Sequence, residues 1–89
     1  MYGRALALNS PRPEYPYEAR RRNITGSGVV ALKVDQTSGA VIEAEMEQSI
    51  GSSILDQAAL SALCRWRFKA GTPSRVRVPI TFTITGAQF

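Results

Sequence analysis

The side chains that most often perform catalysis or bind metals are scarce in this chain of 89 residues. It has no histidine, the commonest general base and metal ligand, and its one cysteine is Cys64. Without a histidine to activate it, we expect Cys64 to be an incidental thiol, because only the thiolate is a good nucleophile. A single cysteine also excludes an intrachain disulfide and a cysteine-rich zinc site. The composition therefore favours a binding module over an enzyme.

The acidic residues form no catalytic pair. Asp35 begins a turn sequence that ends at Gly39, and Asp56 follows Ser53 at the spacing of a helix capping box. The glutamates alternate with apolar residues along one predicted strand: Glu43, Glu45 and Glu47. Alternation places them together on a solvated sheet face. We predict no catalytic residue, no metal ligand and no cofactor, and hence no enzyme.

Charge is divided unevenly along the chain, whose net charge is +4. The segments 1–24, 25–60 and 61–89 carry +3, −4 and +5. A uniformly basic chain would indicate nucleic-acid binding through phosphate neutralisation. An acidic middle between two basic ends suits a protein partner with complementary patches at least as well.

The first third of the chain predicts an extended segment followed by a short helix. Residues 1–13 contain Asn9-Ser10-Pro11-Arg12-Pro13 and are interpreted as the end of a linker. A helix is predicted over 16–22, since Pro16 suits the first helical position and arginines occupy the last turn. Asn23 is expected to end this helix in a left-handed conformation.

Two alternating segments then predict a β-hairpin. In the segments 29–35 and 40–48, apolar residues occupy the even-numbered positions from 30 to 34 and from 42 to 46, and a turn containing glycine joins the two segments. In the second segment, Ile42, Ala44 and Met46 are expected to face the core.

A second helix is predicted from Ser53 to the stop sequence Gly71-Thr72-Pro73. Its apolar stripe has helical spacing: Leu55, Ala59, Ala62, Leu63 and Trp66. We expect Trp66 to pack in the core, and the basic residues of 65–69 to lie in the last helical turn, where they complement the helix dipole.

The last predicted element is a strand with one buried face. Apolar side chains alternate with polar ones along 76–84. Proline cannot donate a backbone hydrogen bond, and residues of like parity direct their backbone groups to the same side of a strand. Pro79 therefore predicts an edge strand whose open side involves Arg77, Thr81 and Thr83. An open edge invites either aggregation or strand addition by a partner.

An ordered set of motifs extends over most of the chain, roughly residues 11–85. In sequence order they are Tyr15-Pro16-x-x-Ala19-Arg20, Gly26-x-Gly28-Val29-Val30, Asp35-x-x-x-Gly39-x-Val41, Leu55-Asp56-x-Ala58-Ala59-Leu60, Trp66-Arg67-Phe68-x-x-Gly71 and Val78-Pro79-Ile80-x-Phe82. With its gaps, this set resembles the C-terminal domain of TonB-type energy transducers. Relatives often carry Gln where Arg12 stands, Arg where Cys64 stands, and Pro where Ala70 stands.

The resemblance implies an α+β fold in which two helices pack on one face of a small three-stranded antiparallel sheet. We interpret residues 1–13 as the end of a linker, 14–86 as the domain and 87–89 as a tail. The resemblance also implies a periplasmic domain, tethered by a proline-rich spacer to an inner-membrane helix on which a proton-driven ExbB/ExbD-type complex acts.

The partners implied by the resemblance are outer-membrane receptors, including those that take up siderophore-bound iron. Their short TonB box peptide would add to the sheet at the final strand, by β-augmentation. Force passed through this contact would open the receptor plug and support active transport across the outer membrane.

The residues expected to bind the peptide lie in two segments. On the edge strand they are Arg75, Val76, Arg77, Val78, Pro79, Ile80, Thr81, Phe82, Thr83 and Ile84. In the N-terminal segment they are Arg12, Pro13, Tyr15 and Pro16. Backbone groups of the strand would supply affinity that tolerates sequence variation, and the flanking side chains, with Arg12, would supply specificity.

Two other functions compete with this reading. The domain could serve a different membrane-anchored protein, such as a sensor or a peptidase. It could also be a small basic nucleic-acid-binding domain, but glutamates on the open sheet face would repel phosphate, so no nucleic-acid partner is predicted. The open edge also allows a strand-exchanged homodimer.

Overall fold

The computed structural model describes residues 7–89 and confirms an α+β fold. The elements in chain order are β1 (Ala7–Asn9), α1 (Tyr17–Arg21), β2 (Gly26–Val34), β3 (Val41–Gln48), α2 (Ser53–Leu63), β4 (Arg67–Phe68), β5 (Arg75–Thr83) and β6 (Gly86–Gln88). The predicted helices, hairpin and last long strand are present, whereas β1, β4 and β6 were not predicted. Asn23 follows α1 with a φ of 55°, the left-handed conformation expected of it.

The main sheet has four antiparallel strands in the order β3-β2-β5-β6, instead of the three that were predicted. The fourth strand, β6, folds back on the end of β5, where Phe82 pairs with Ala87. The turn between them is tight, with a φ of 134° at Gly86 and a hydrogen bond of 3.1 Å from Thr83 Oγ1 to the Gly86 carbonyl oxygen. Part of the segment predicted as a tail is therefore a strand.

A second, two-stranded sheet joins β1 to β4. In it Ala7 pairs with Phe68, and nearby Trp66 Nε1 donates a hydrogen bond of 3.0 Å to the Pro11 carbonyl oxygen. Pro13 is buried. The segment 7–13 thus makes specific contacts with the rest of the chain, while residues 1–6 of the predicted linker lie outside the described residues.

One hydrophobic core lies between the main sheet and the helices. The even-numbered apolar residues of β5 are buried in it: Val76, Val78, Ile80 and Phe82. The predicted helical stripe is confirmed, because all its members are buried: Leu55, Ala59, Ala62, Leu63 and Trp66. α1 contributes Ala19 to the same core, so both helices pack on one face of the sheet.

α2 ends at Leu63, earlier than predicted. Trp66 and Phe68 are both buried, and a spacing of two residues between buried side chains belongs to an extended strand and not to a helix. Arg67 accordingly lies in β4. The prediction that the basic residues of 65–69 lie in the last helical turn is therefore wrong.

Asp56 stabilises the approach to α2 through residues that precede the helix. Its Oδ1 accepts the Ile50 N–H at 2.8 Å, and its Oδ2 accepts the Ser49 hydroxyl at 2.7 Å. The predicted capping box between Ser53 and Asp56 is wrong, since Ser52 and not Ser53 holds the N-cap position, and it does so without a side-chain hydrogen bond. The carboxylate still lies in the first turn, where the helix dipole favours negative charge.

A bulge in β3 turns one side chain, that of Ile42, away from the core that it was predicted to face. Lys33 pairs with Glu43 while Val34 pairs with Val41, so Ile42 has no partner of its own on β2. An inserted residue shifts the alternation of faces, and Ile42 is 61% exposed instead of facing the core. Beyond the bulge, Ala44 and Met46 pack against the core as predicted.

Gly39 is required where the β2–β3 turn meets β4. It has a φ of 78°, its carbonyl oxygen accepts the Phe68 N–H at 2.8 Å, and a Cβ at this position would collide with the Phe68 carbonyl group. We expect Gly39→Ala to lower the free energy of unfolding by about 3 kcal/mol, from backbone strain and the collision together.

Gly71→Ala is the matched control for Gly39→Ala. Gly71 has a φ of 90°, but a Cβ there would have no neighbouring atom within 4 Å. Only the backbone strain applies at this position, so we expect Gly71→Ala to lower the free energy of unfolding by about 1–2 kcal/mol. Urea unfolding followed by tryptophan fluorescence measures both variants, and equal losses would contradict the steric role of Gly39.

Candidate peptide-binding edge

β5 is bonded to β2 on one side and is open along most of the other. It pairs with β2 over residues 75–82. Pro79 lies opposite Val29, and because proline has no N–H, this must be a pair without backbone hydrogen bonds. The odd-numbered residues of β5 therefore direct their backbone groups away from β2, which is the parity that Pro79 predicted.

Two contacts agree with this parity. The Val34 N–H donates at 2.8 Å to the carbonyl oxygen of Ser74, an even-numbered residue just before β5. Side chains approach closely in a non-bonded pair, and Ser27 Oγ lies 3.1 Å from Thr81 Oγ1. The backbone groups of the even-numbered residues of β5 thus bond to β2, and the backbone groups of its odd-numbered residues point to the opposite side of the strand.

β6 covers the C-terminal end of that other side. Thr81 pairs with Gln88 and Thr83 with Gly86, so the prediction that both threonines are open is wrong. A segment as short as β6 has too few residues to show strand alternation in a sequence. Among residues 7–89, no strand pairs with the open side of β5 from Arg75 to Ile80.

Charged side chains flank this open stretch on the solvent face of the sheet. Arg77 Nη2 lies 2.9 Å from Glu47 Oε1, which reaches across β2 from β3. The two side chains are 55% and 40% exposed, so the ion pair adds little to stability and leaves Arg77 accessible to another carboxylate. Sequence reasoning placed Glu47 on a solvated face and missed this pairing, because it depends on the order of the strands.

The N-terminal residues predicted to bind the peptide have separate surroundings. Arg12 is exposed and lines a groove with residues 85–89. Pro13 is buried, and Pro16 is the residue immediately before α1. Of this predicted set, Arg12 is the residue whose side chain lies exposed beside β6.

Tyr15 is held by three contacts within the domain. Its hydroxyl donates to the Ile24 carbonyl oxygen at 2.6 Å, and its ring packs edge-on against Phe82 with 5.5 Å between ring centres. The Arg20 guanidinium lies 5.4 Å from the centre of the same ring. Tyr15 therefore links α1 to the buried side of β5.

The chain matches a known family of domains. Residues 11–85 match the family model described as Gram-negative bacterial TonB protein C-terminal, and the chain belongs to this family. The matched region contains every element from α1 to β5, while β1 and β6 lie outside it.

The chain is also similar to longer bacterial proteins. Protein TonB of Vibrio cholerae is 34% identical in an alignment 88 residues long that covers 92% of this chain and 36% of that protein. Protein tonB2 of Pseudomonas aeruginosa is 39% identical in an alignment 83 residues long that covers 86% of this chain and 30% of that protein. Protein TonB of Xanthomonas campestris pv. campestris is 34% identical in an alignment 82 residues long that covers 85% of this chain and 36% of that protein. The chain spans about a third of the length of these relatives.

Replacement of Tyr15 tests its role as a link between α1 and β5. We expect Tyr15→Phe to lower the free energy of unfolding by about 1 kcal/mol, the value of one hydrogen bond, and Tyr15→Ala by about 3 kcal/mol. Tyr17 is 73% exposed, and Tyr17→Ala should change stability by no more than about 0.5 kcal/mol. Urea unfolding compares the variants, and a loss at Tyr17 as large as that at Tyr15 would contradict this role.

Proposed function

We propose that this chain is the receptor-binding domain of a TonB-type energy transducer. It binds the TonB box of outer-membrane receptors as an added strand on β5 and transmits force to the receptor, without enzymatic activity. Membership of the TonB C-terminal family supports this class of protein. The geometry of β5 supports the mode of binding.

The open side of β5 from Arg75 to Ile80 is the observation that carries the proposal. Arg75 and Arg77 each offer a backbone N–H and a carbonyl oxygen on this side, and Pro79 offers a carbonyl oxygen. A peptide that bonds to these groups extends the sheet through its own backbone, whatever side chains it carries.

The other edge of the sheet, β3, is less suited to strand addition. Its pairing with β2 is irregular in two places, because Ile42 and Glu47 each have no partner on β2. Bulges twist an edge away from a regular ladder and discourage a further strand. The regular strand β5 is therefore the better site for the peptide.

Side chains near β5 have two roles in this proposal. Of the even-numbered residues of the predicted set, Val76, Val78, Ile80 and Phe82 are buried and support the strand from the core, whereas Ile84 follows the end of β5 and is 72% exposed. Arg75, Arg77 and Arg12 are exposed and supply attraction to acidic residues of the receptor peptide.

We further propose that the domain works in the periplasm as part of a protein anchored in the inner membrane. An ExbB/ExbD-type complex would drive that protein, and siderophore receptors would be among its partners. No helix within residues 7–89 has the length and apolar character needed to cross a membrane. The relatives extend well beyond the region they share with this chain, which is consistent with an anchor elsewhere in such a protein.

Arg77→Pro tests strand addition directly. The Arg77 N–H points away from β2, so proline removes a donor from the open side and leaves the β2–β5 ladder intact. We expect the affinity for a synthetic peptide that carries a receptor TonB box to fall about tenfold, which corresponds to roughly one backbone hydrogen bond. Isothermal titration calorimetry measures the change, and circular dichroism confirms that the helices are retained.

Arg77→Ala is the matched control, since it removes the side chain and its ion pair with Glu47 but retains the N–H. We expect less than about a threefold loss of affinity for this variant, the effect of an exposed charge. Unchanged affinity in a folded Arg77→Pro protein would refute peptide addition at this edge.

A further inference from the structure

Arg77 lies beside the open side of β5, but its guanidinium is bound towards the other side of the strand. In the register of the sheet, Arg77 is opposite Ala31 of β2, whose methyl side chain is short. Ala31, Glu47 and Arg77 line one groove on the solvent face. Because Ala31 leaves room above β2, the Arg77 side chain crosses this strand, and its Nη2 lies 2.9 Å from Glu47 Oε1. The cation in the middle of the open stretch is therefore already in contact with a carboxylate.

Arg75 has no such partner, although its side chain lies on the same face. It is two residues from Arg77 along the strand and is exposed. Its neighbour on β2 is Lys33, and like charges in directly opposite positions repel each other. No carboxylate of the described residues forms an ion pair with Arg75. An anion beside Arg75 would therefore form an ion pair and offset a repulsion.

A strand added to the open side of β5 would present alternate side chains to the two arginines. The backbone groups of Arg75 and Arg77 point to the open side, so both residues would bond to the backbone of the added strand. The two peptide residues opposite them are separated by one residue, and both their side chains lie on the solvent face. This spacing is the same for a parallel and for an antiparallel peptide. The residue between them points to the other face.

We propose that this edge selects peptides with carboxylates at two alternate positions, i and i+2, which pair with Arg75 and Arg77, and that Glu47 competes with the peptide for Arg77. This inference rests on the proposed function and specifies the chemistry of the receptor segment. Glu47 holds the Arg77 guanidinium away from the open side until a peptide carboxylate replaces it. Both members of the existing ion pair are exposed, so the exchange of one carboxylate for another costs little.

Three peptides of equal length separate the spacing of the charges from their number. The alternating peptide is Ser-Thr-Glu-Val-Glu-Val-Thr-Val-Thr-Ser. The adjacent peptide, Ser-Thr-Val-Glu-Glu-Val-Thr-Val-Thr-Ser, has the same composition but directs its two carboxylates to opposite faces of a strand. The neutral peptide has glutamine in place of both glutamates of the alternating peptide. All three are blocked at both ends and titrated against the full chain by calorimetry at low salt.

We expect the alternating peptide to bind about tenfold more tightly than the neutral peptide, since each of two exposed ion pairs contributes about threefold. The adjacent peptide should gain only about threefold, because one of its carboxylates faces away from the arginines. High salt should reduce both gains, because it screens exposed charges.

Glu47→Gln tests the competition, and Glu43→Gln is its matched control. Both substitutions change the net charge equally at exposed positions of β3, but of the two only Glu47 forms an ion pair within the described residues. Glu47→Gln should bind the alternating peptide about threefold more tightly than the unmodified chain and bind the neutral peptide equally well. Glu43→Gln should bind both peptides like the unmodified chain. Circular dichroism confirms that both variants are folded.

Equal affinity for the alternating and adjacent peptides would overturn the selection by spacing. Equal gains from Glu47→Gln and Glu43→Gln would overturn the competition and assign the effect to net charge. The proposed function is tested separately with a receptor TonB box peptide and Arg77→Pro. If that peptide binds the unmodified chain and binds Arg77→Pro more weakly, while the alternating peptide has no advantage over the neutral one, this inference fails and the proposed function stands. If the receptor peptide binds neither chain, the proposed function fails.

Discussion

The backbone ladder between β2 and β5 is the interaction on which the rest of the structure depends. It joins the hairpin to the last long strand over eight residue pairs, the longest pairing in the described part of the chain. One set of hydrogen-bonding groups of β5 is used in this ladder, and the same register directs Val78 and Ile80 into the core. Proline at residue 79 fits the ladder because its missing N–H lies on the other side. The position of the open edge is therefore a consequence of how the sheet is held together.

Trp66 connects the outer parts of the domain to this central pairing. It follows α2, its indole N–H binds the Pro11 carbonyl oxygen, and its ring contacts both Phe68 and Phe89. One buried side chain thus holds the N-terminal segment, β4 and residues 86–89 close to each other. These three segments lie outside the regular helix and hairpin pattern.

The division of charge along the sequence becomes a division across one face of the sheet. Glutamates of the acidic middle segment lie on β3, and arginines of the basic final segment lie on β5, with β2 between them. The contact between Arg77 and Glu47 spans this distance. A net charge of +4 says little about a partner, whereas the row of arginines next to the open side of β5 supports the proposed addition of an extended peptide with acidic residues.

The sequence by itself determined the elements with strong periodicity and the parity of the edge. The buried stripe of α2 and the alternation of β5 follow from side-chain spacing, and Pro79 identifies the side of β5 that does not bond to β2, because the missing donor is a local property. Only the tertiary structure decided that Thr81 and Thr83 are covered, that Ile42 is exposed, and that Arg77 meets Glu47. Each of these depends on the pairing of segments that are short or distant in sequence: a three-residue strand, a bulge set by the register of a neighbouring strand, and the order of strands in the sheet. The spacing of side chains within one segment does not predict such pairings, because the contacts that stabilise them form only when the segments pack together.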